Sequence, residues 1–122
     1  MAFWRKQTIY SEKELVECTT EIEALLRKYC VKEWLDFFIS INQEIRRFWT
    51  PTSTSAAKRA ILKKLRTLFG GMGSFNDFGL DPRAGHGRAI HLSHIEAYKF
   101  NEGLGDLKTR LYKIVSGLEK RI

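Results

Sequence analysis

Proline and cysteine are scarce in this chain of 122 residues, which has two of each. So few prolines leave room for long helices, because proline breaks a helix interior. The cysteines, Cys18 and Cys30, lie twelve residues apart and match no metal-binding spacing. We expect both to be free, inert thiols on or beside the apolar stripes of a cytoplasmic protein.

Long hydrophobic runs are missing as well. No stretch approaches the roughly 20 apolar residues that a membrane-spanning helix needs. The first residues do not follow the charged-then-apolar pattern of a secretory signal. The sequence therefore predicts no membrane association and a cytoplasmic location.

Apolar and basic residues, in contrast, are plentiful. The chain is 43% apolar and long enough to bury roughly two-thirds of its unfolded surface as one domain, residues 1–122. Its net charge of +7 is unevenly distributed, because residues 45–90 hold nine Lys or Arg against two acids. This local excess of positive charge is stronger evidence for an acidic partner than the net charge of the whole chain is.

The apolar residues recur at helical spacing in four stretches. The first begins at Ser11, predicted as N-cap of a capping box with Glu14. The second ends before Pro51, and Gly70 is predicted to end the third as a left-handed C-cap. The stripes are Leu15, Cys18, Ile22, Leu25, Leu26 and Tyr29; Val31, Trp34, Leu35, Phe38, Ile41, Ile45 and Phe48; and Ala57, Ile61, Leu62, Leu65, Leu68 and Phe69.

The last helix is predicted to start near Ser93, with a kink or break near residues 101–105 caused by Gly103 and Gly105. Its predicted stripe is Ile95, Tyr98, Leu104, Leu107, Leu111, Ile114, Val115 and Leu118. The pattern indicates an all-α fold: an antiparallel bundle of about four helices, with a long glycine-rich connection (about 70–92) before the last helix.

The run from Gly70 to Gly79 is where helical sequence stops abruptly. A phosphate-binding loop needs a strand before it and usually a lysine at its end, and neither is present. We expect a turn in which Ser74 and Asp77 cap each other's backbone and Asn76 turns the chain. A small-ligand pocket between this segment and the last helix stays open as an alternative.

The core Gly70-Gly71-Met72-Gly73-Ser74-Phe75-Asn76-Asp77, followed by Asn101-x-x-Leu104-x-x-Leu107-x-x-x-Leu111-Tyr112, resembles a family of small bacterial proteins of unknown function. The resemblance implies a small bacterial protein, sometimes of the accessory kind encoded on mobile or toxin-linked gene clusters. It also directs attention to Ser74, Asn76 and Asp77 as a ligand or partner loop.

No group of residues indicates catalysis. Ser74 lacks the G-x-S-x-G context of an exposed nucleophile, and Glu102 and Asp106 are expected on a solvated surface. His91 and His94 lie three residues apart near His86, but two ligands do not complete a tetrahedral site. We predict no enzyme activity, no metal and no cofactor.

Two hypotheses about function remain. The favoured one is a non-enzymatic interaction or accessory protein, self-associating or bound to another protein through exposed aromatics such as Phe3, Trp4 and Trp49. The alternative is nucleic-acid binding by the basic third helix, unless the acidic first helix neutralises it. The cations concerned are Lys58, Arg59, Lys63, Lys64 and Arg66, joined by Arg46, Arg47, Arg83 and Arg88.

Overall fold

The computed structural model describes residues 11–71, 73–80 and 93–122. Its four helices are α1 (Glu12–Lys28), α2 (Leu35–Phe48), α3 (Ser55–Arg66) and α4 (His94–Arg121). Two single 3-10 turns, Thr67–Phe69 and Phe75–Asp77, lie between α3 and α4. These ranges contain no strand, so the predicted all-α class is confirmed, and no helix in them is long and apolar enough to cross a membrane.

Short polar side chains begin three of the helices. Ser11 accepts a hydrogen bond from the backbone N–H of Glu14 at 3.2 Å, so the predicted N-cap of α1 is confirmed. Ser93 and Glu96 form a complete capping box at the start of α4, where the sequence placed it. Each cap supplies acceptors for N–H groups that the first helical turn leaves unpaired.

The helices pack as an antiparallel bundle. Along α3 and the turn after it, Arg59 bonds the backbone oxygen of Ile122, Arg66 bonds Ser116, and Phe69 packs on Tyr112. As the chain advances from α3 into the turn after it, its contacts move backwards along α4, as antiparallel packing requires. Helix α1 lies against both α2 and α4, and α3 lies against α2 and α4.

One predicted helix cap, at Gly70, is wrong. At the other boundary no start of α2 was predicted: a short turn after α1 leads to the start of α2 at Leu35, because Cys30 and Trp34 adopt left-handed φ angles of 56° and 67° that interrupt the helix. Gly70 is not a left-handed cap, since its φ is −82°. The 3-10 turn extends α3 to Phe69 and moves the chain reversal past Gly70.

The expected break in α4 is also wrong, because the helix is continuous from His94 to Arg121. A Cβ atom at Gly103 would lie 3.7 Å from Leu25, so α1 packs directly over that turn. Phe100 and Leu104, on either side, are fully buried. Their burial, at about 2 kcal/mol each, outweighs the ~1 kcal/mol that each glycine costs the helix.

Candidate functional site

The glycine-rich segment turns sharply at two positions. Gly71 and Gly73 have φ angles of 108° and 81°, which side chains rarely tolerate. The chain then makes the 3-10 turn Phe75–Asp77 and continues extended through Phe78. The expected turn of the chain at Asn76 is confirmed.

Phe75 seals this segment against the bundle. Its side chain is fully buried, with its ring centroid 4.9 Å from that of Phe38 and 5.6 Å from that of Trp34. Phe78 packs beside it and is half-buried. The space directly under Phe75 is therefore filled with aromatic rings, and the open space between the segment and the last helix is an outer cleft of about 280 Å³ beside Asn76.

Asn101 on α4 holds the end of the segment. Its amide nitrogen donates to the Leu80 carbonyl at 2.7 Å, and its amide oxygen accepts from the Leu80 N–H at 2.8 Å. Gly79 lies so close that a Cβ atom there would be 3.2 Å from Asn101 Oδ1. One side chain thus pairs with both backbone groups of a buried residue, as a strand would.

Lys108, two turns further along α4, holds the middle of the segment. Its ammonium donates to the carbonyls of Asn76, at 3.2 Å, and of Phe78, and lies 5.4 Å from the centre of the Phe75 ring. Burial lowers the pKa of Lys108, and attraction to Asp77 opposes that shift. Sequence reasoning did not identify Lys108 as an anchor, because an isolated lysine on a helix is normally solvated.

The three predicted loop residues do not converge. Ser74 Oγ is buried without a hydrogen-bond partner, so the prediction that Ser74 caps the backbone is wrong. Asn76 and Asp77 are exposed on the outer side of the segment. The packing counts against a ligand site formed jointly by Ser74, Asn76 and Asp77, and it makes the segment a closed structural element.

The cations of α3 are largely bonded within the protein. Lys58 pairs with Glu12 at 3.2 Å, Lys64 with Glu44 at 2.5 Å, and Arg66 with Glu119, while Arg59 bonds the oxygen of Ile122 at 2.7 Å. Within the described ranges, Lys63 has no ion-pair partner. The expected neutralisation by the acidic first helix is limited to Glu12, since the other two acids belong to α2 and α4.

The cysteines differ from each other. Cys18 is fully buried, and burial raises the pKa of its thiol to about 12, which makes it inert at neutral pH. Cys30 is exposed in the turn after α1, so the prediction that it belongs to the apolar interior is wrong. Its left-handed φ of 56° belongs to the short turn that separates α1 from α2.

Several other candidates lie outside the described residues: Phe3, Trp4, Arg83, His86, Arg88 and His91. Of the histidines, His94 is described and is exposed at the start of α4. Over residues 11–71, 73–80 and 93–122, no three His, Cys, Asp or Glu side chains form a group that would hold a metal ion. Trp49, expected on an exposed patch, is 8% exposed and belongs to the core.

Among the described residues, the two large apolar side chains with the highest exposed fractions are at the start of α4. Ile95 and Tyr98 are 67% and 74% exposed, although they were predicted on the buried stripe. The inward positions are instead Ala97, Phe100 and Leu104, each fully buried. Because Ala97 is small, it contributes little to the hydrophobic pattern of the sequence. The pattern therefore predicts Ile95 and Tyr98, and not Ala97, on the buried side.

Comparison with known proteins adds one match. Residues 32–88 are similar to the family model DUF6966, described as a domain of unknown function. The match covers fewer than half of the residues and includes α2, α3 and the Gly70–Asp77 core. No curated protein and no solved structure matches the chain.

Proposed function

We propose that the protein is a non-enzymatic interaction protein that associates with a second copy of itself through the first two turns of α4. The observation that supports this proposal is the exposure of Ile95 and Tyr98, at 67% and 74%. They lie three residues apart and so share one side of the helix. Adjacent exposed apolar side chains of this size are typical of association surfaces.

The charges around this pair favour a second copy as the partner. Lys99 and Glu102 are exposed beside it within the first three turns. In a two-fold symmetric contact the same patch is used by both copies, so a patch that carries both signs can complement itself. With the two α4 starts antiparallel about a point between Ile95 and Tyr98, Ile95 of each copy would lie against Tyr98 of the other, and Lys99 and Glu102 would flank them.

A non-enzymatic role agrees with the state of the candidate nucleophiles. Ser74 Oγ is buried beneath the closed segment, and the raised pKa of Cys18 keeps its thiol protonated. A bacterial, cytoplasmic accessory role, which the resemblance and the cysteine content suggest, belongs to the same proposal. Nucleic-acid binding by α3 alone has weaker support, because four of its five cations are already bonded.

Sedimentation velocity from about 1 μM to about 1 mM tests the proposal, because a patch this small predicts micromolar or weaker affinity. We expect reversible dimers that Ile95→Ser combined with Tyr98→Ser abolishes. The matched control, Val16→Ser combined with Phe48→Ser, changes the exposed apolar residues of α1 and α2 and should leave the dimer intact. A chain that stays monomeric throughout the range, or an equal effect of the control, overturns the proposal.

A charge exchange tests whether Lys99 and Glu102 belong to the contact. Lys99→Glu gives each copy two acids and no base at these positions, so repulsion between the copies should weaken the dimer. Adding Glu102→Lys to that variant restores one charge of each sign in each copy and should restore the dimer. Failure of the second change to restore association would exclude these two charges from the contact.

A further inference from the structure

A groove follows the second half of α4, on a different part of that helix from Ile95 and Tyr98. Its other side is α3 at one end and the turns Thr67–Phe69 and Phe75–Asp77 at the other, and we call it the α3–α4 groove. It consists of two clefts of about 310 and 280 Å³. Arg66 joins them, because it lines the larger cleft while its guanidinium lies 5.1 Å from the ring centre of Tyr112 in the smaller one. The lining residues are Arg59, Leu62, Lys63, Arg66 and Glu119 in the first, and Phe69, Asn76, Lys108, Thr109, Tyr112 and Lys113 in the second.

The charge of this groove is strongly positive. Five of its lining residues are Lys or Arg, and one, Glu119, is an acid. Lys63 on α3 and Lys113 on α4 are exposed and have no partner among the described residues. The basic surface thus belongs to a groove shared by two helices, and α4 supplies cations that the sequence pattern had not assigned to it.

An aromatic side chain lies among these cations. Tyr112 is 48% exposed, and its ring is held by an edge contact with Phe69 at 5.3 Å between centroids. The Arg66 guanidinium covers part of it. Unpaired bases stack on aromatic rings and on guanidinium planes, whereas the carboxylates of an acidic peptide can use the cations but do not stack on the ring.

The length of the groove is also suitable. From Lys108 to Glu119, α4 extends about 17 Å at ~1.5 Å per residue. At the spacing of about 3.4 Å per nucleotide within one strand, this accommodates roughly five nucleotides. We propose that the α3–α4 groove binds single-stranded nucleic acid, with phosphates at Lys63 and Lys113 and a base on the Tyr112–Arg66 pair.

Fluorescence anisotropy with labelled oligo-uridine and oligo-thymidine of about 12 nucleotides tests this, titrated with salt from about 50 to 200 mM. We expect binding that weakens as salt rises. Lys63→Gln combined with Lys113→Gln should lower the magnitude of the log–log salt slope by about 1.4, since each single-strand phosphate contact contributes about 0.7. The matched control, Lys13→Gln combined with Lys32→Gln, removes the same charge from exposed positions outside the groove.

Further variants test whether a base stacks on Tyr112. Tyr112→Ala should weaken binding about fivefold or more, whereas Tyr98→Ala, at the other exposed tyrosine of the described residues, should leave it unchanged. Tyr112→Leu keeps an apolar contact with Phe69 and should show the same loss. Thermal unfolding of each variant separates loss of the site from loss of the fold.

Four results would overturn the proposal. They are no binding at the lowest salt, equal losses for the groove and control lysine pairs, full affinity in Tyr112→Leu, and a polyglutamate peptide that competes as well as the oligonucleotides. The last result would make the groove a general polyanion surface or an acidic-peptide site. None of these results bears on dimerisation, which rests on different residues of α4.

Discussion

The stretches on either side of residues 81–92 differ in whether their large apolar side chains are buried or exposed. Before that region, in residues 73–80, Phe75 is fully buried and Phe78 is half-buried. After it, in the first turns of α4, Ile95 and Tyr98 are mostly exposed. Similar side chains thus form core in one stretch and surface in the other.

The backbone accounts for this difference. An irregular segment cannot satisfy all of its own N–H and C=O groups. Residues 73–80 form a few turn hydrogen bonds of their own and depend for the rest on Asn101, Lys108 and the docking of Phe75. The first turns of α4 pair their backbone internally and through the Ser93–Glu96 capping box. A helix can therefore leave apolar side chains outside at little cost in folding stability and keep them for a partner.

The largest expected effect is at Phe75. Phe75→Ala should destabilise the protein by about 3–5 kcal/mol, because it removes a fully buried ring from the aromatic cluster. Tyr98→Ala, in the exposed first turns of α4, should change the unfolding free energy by less than about 0.5 kcal/mol. Urea denaturation at a concentration where the chain is monomeric measures both, and similar losses would remove the distinction between the two stretches.

Asn101 should come next. Asn101→Ala leaves the buried N–H and C=O of Leu80 without partners and should cost about 2–3 kcal/mol in the same experiment. Glu102→Ala, one exposed position further along the helix, is the control and should be nearly neutral. A neutral Asn101→Ala would mean that Phe75 alone keeps the segment closed.

A smaller and local effect is expected at Ser93. Ser93→Ala removes the capping box and should cost about 1 kcal/mol. Hydrogen exchange should accelerate at residues 96–99 while the Leu80 amide stays protected by Asn101. Equal acceleration at Leu80 would show that the two stretches open together as one unit.

The smallest effect concerns pH. Because burial lowers the pKa of Lys108 in the folded protein, the unfolded chain binds more protons between that lowered pKa and the ordinary lysine value of about 10.4. Unfolding free energy should therefore rise with pH through that window in the native protein, and rise less in Lys108→Met. Lys113→Met, an exposed lysine of the same helix, should keep the native pH profile.

The sequence predicts a structural feature well when that feature is caused by neighbouring residues in the chain. Ser11, Pro51 and Ser93 mark helix ends through short-range sterics and hydrogen bonds, and the helices begin or end beside them. Gly70 was misassigned because the 3-10 turn depends on how Leu68 and Phe69 pack. The sequence does not predict Asn101 and Lys108 as anchors, because their partners are backbone groups 21 and 30 residues away in the chain. A pattern of side chains carries no information about such backbone partners.

By itself, the sequence determined four amphipathic helices, the starts of the first and last at Ser11 and Ser93, and the place where helical structure gives way to glycine, because these follow from periodicity and local backbone preference. Tertiary structure alone decided which aromatics are core, that Ser74 is sealed, and that the cations of α3 share a groove with those of α4. Those outcomes depend on which helices become neighbours and on the exact rotation of α4. A rotation that places Ala97 and Phe100 inside leaves Ile95 and Tyr98 outside.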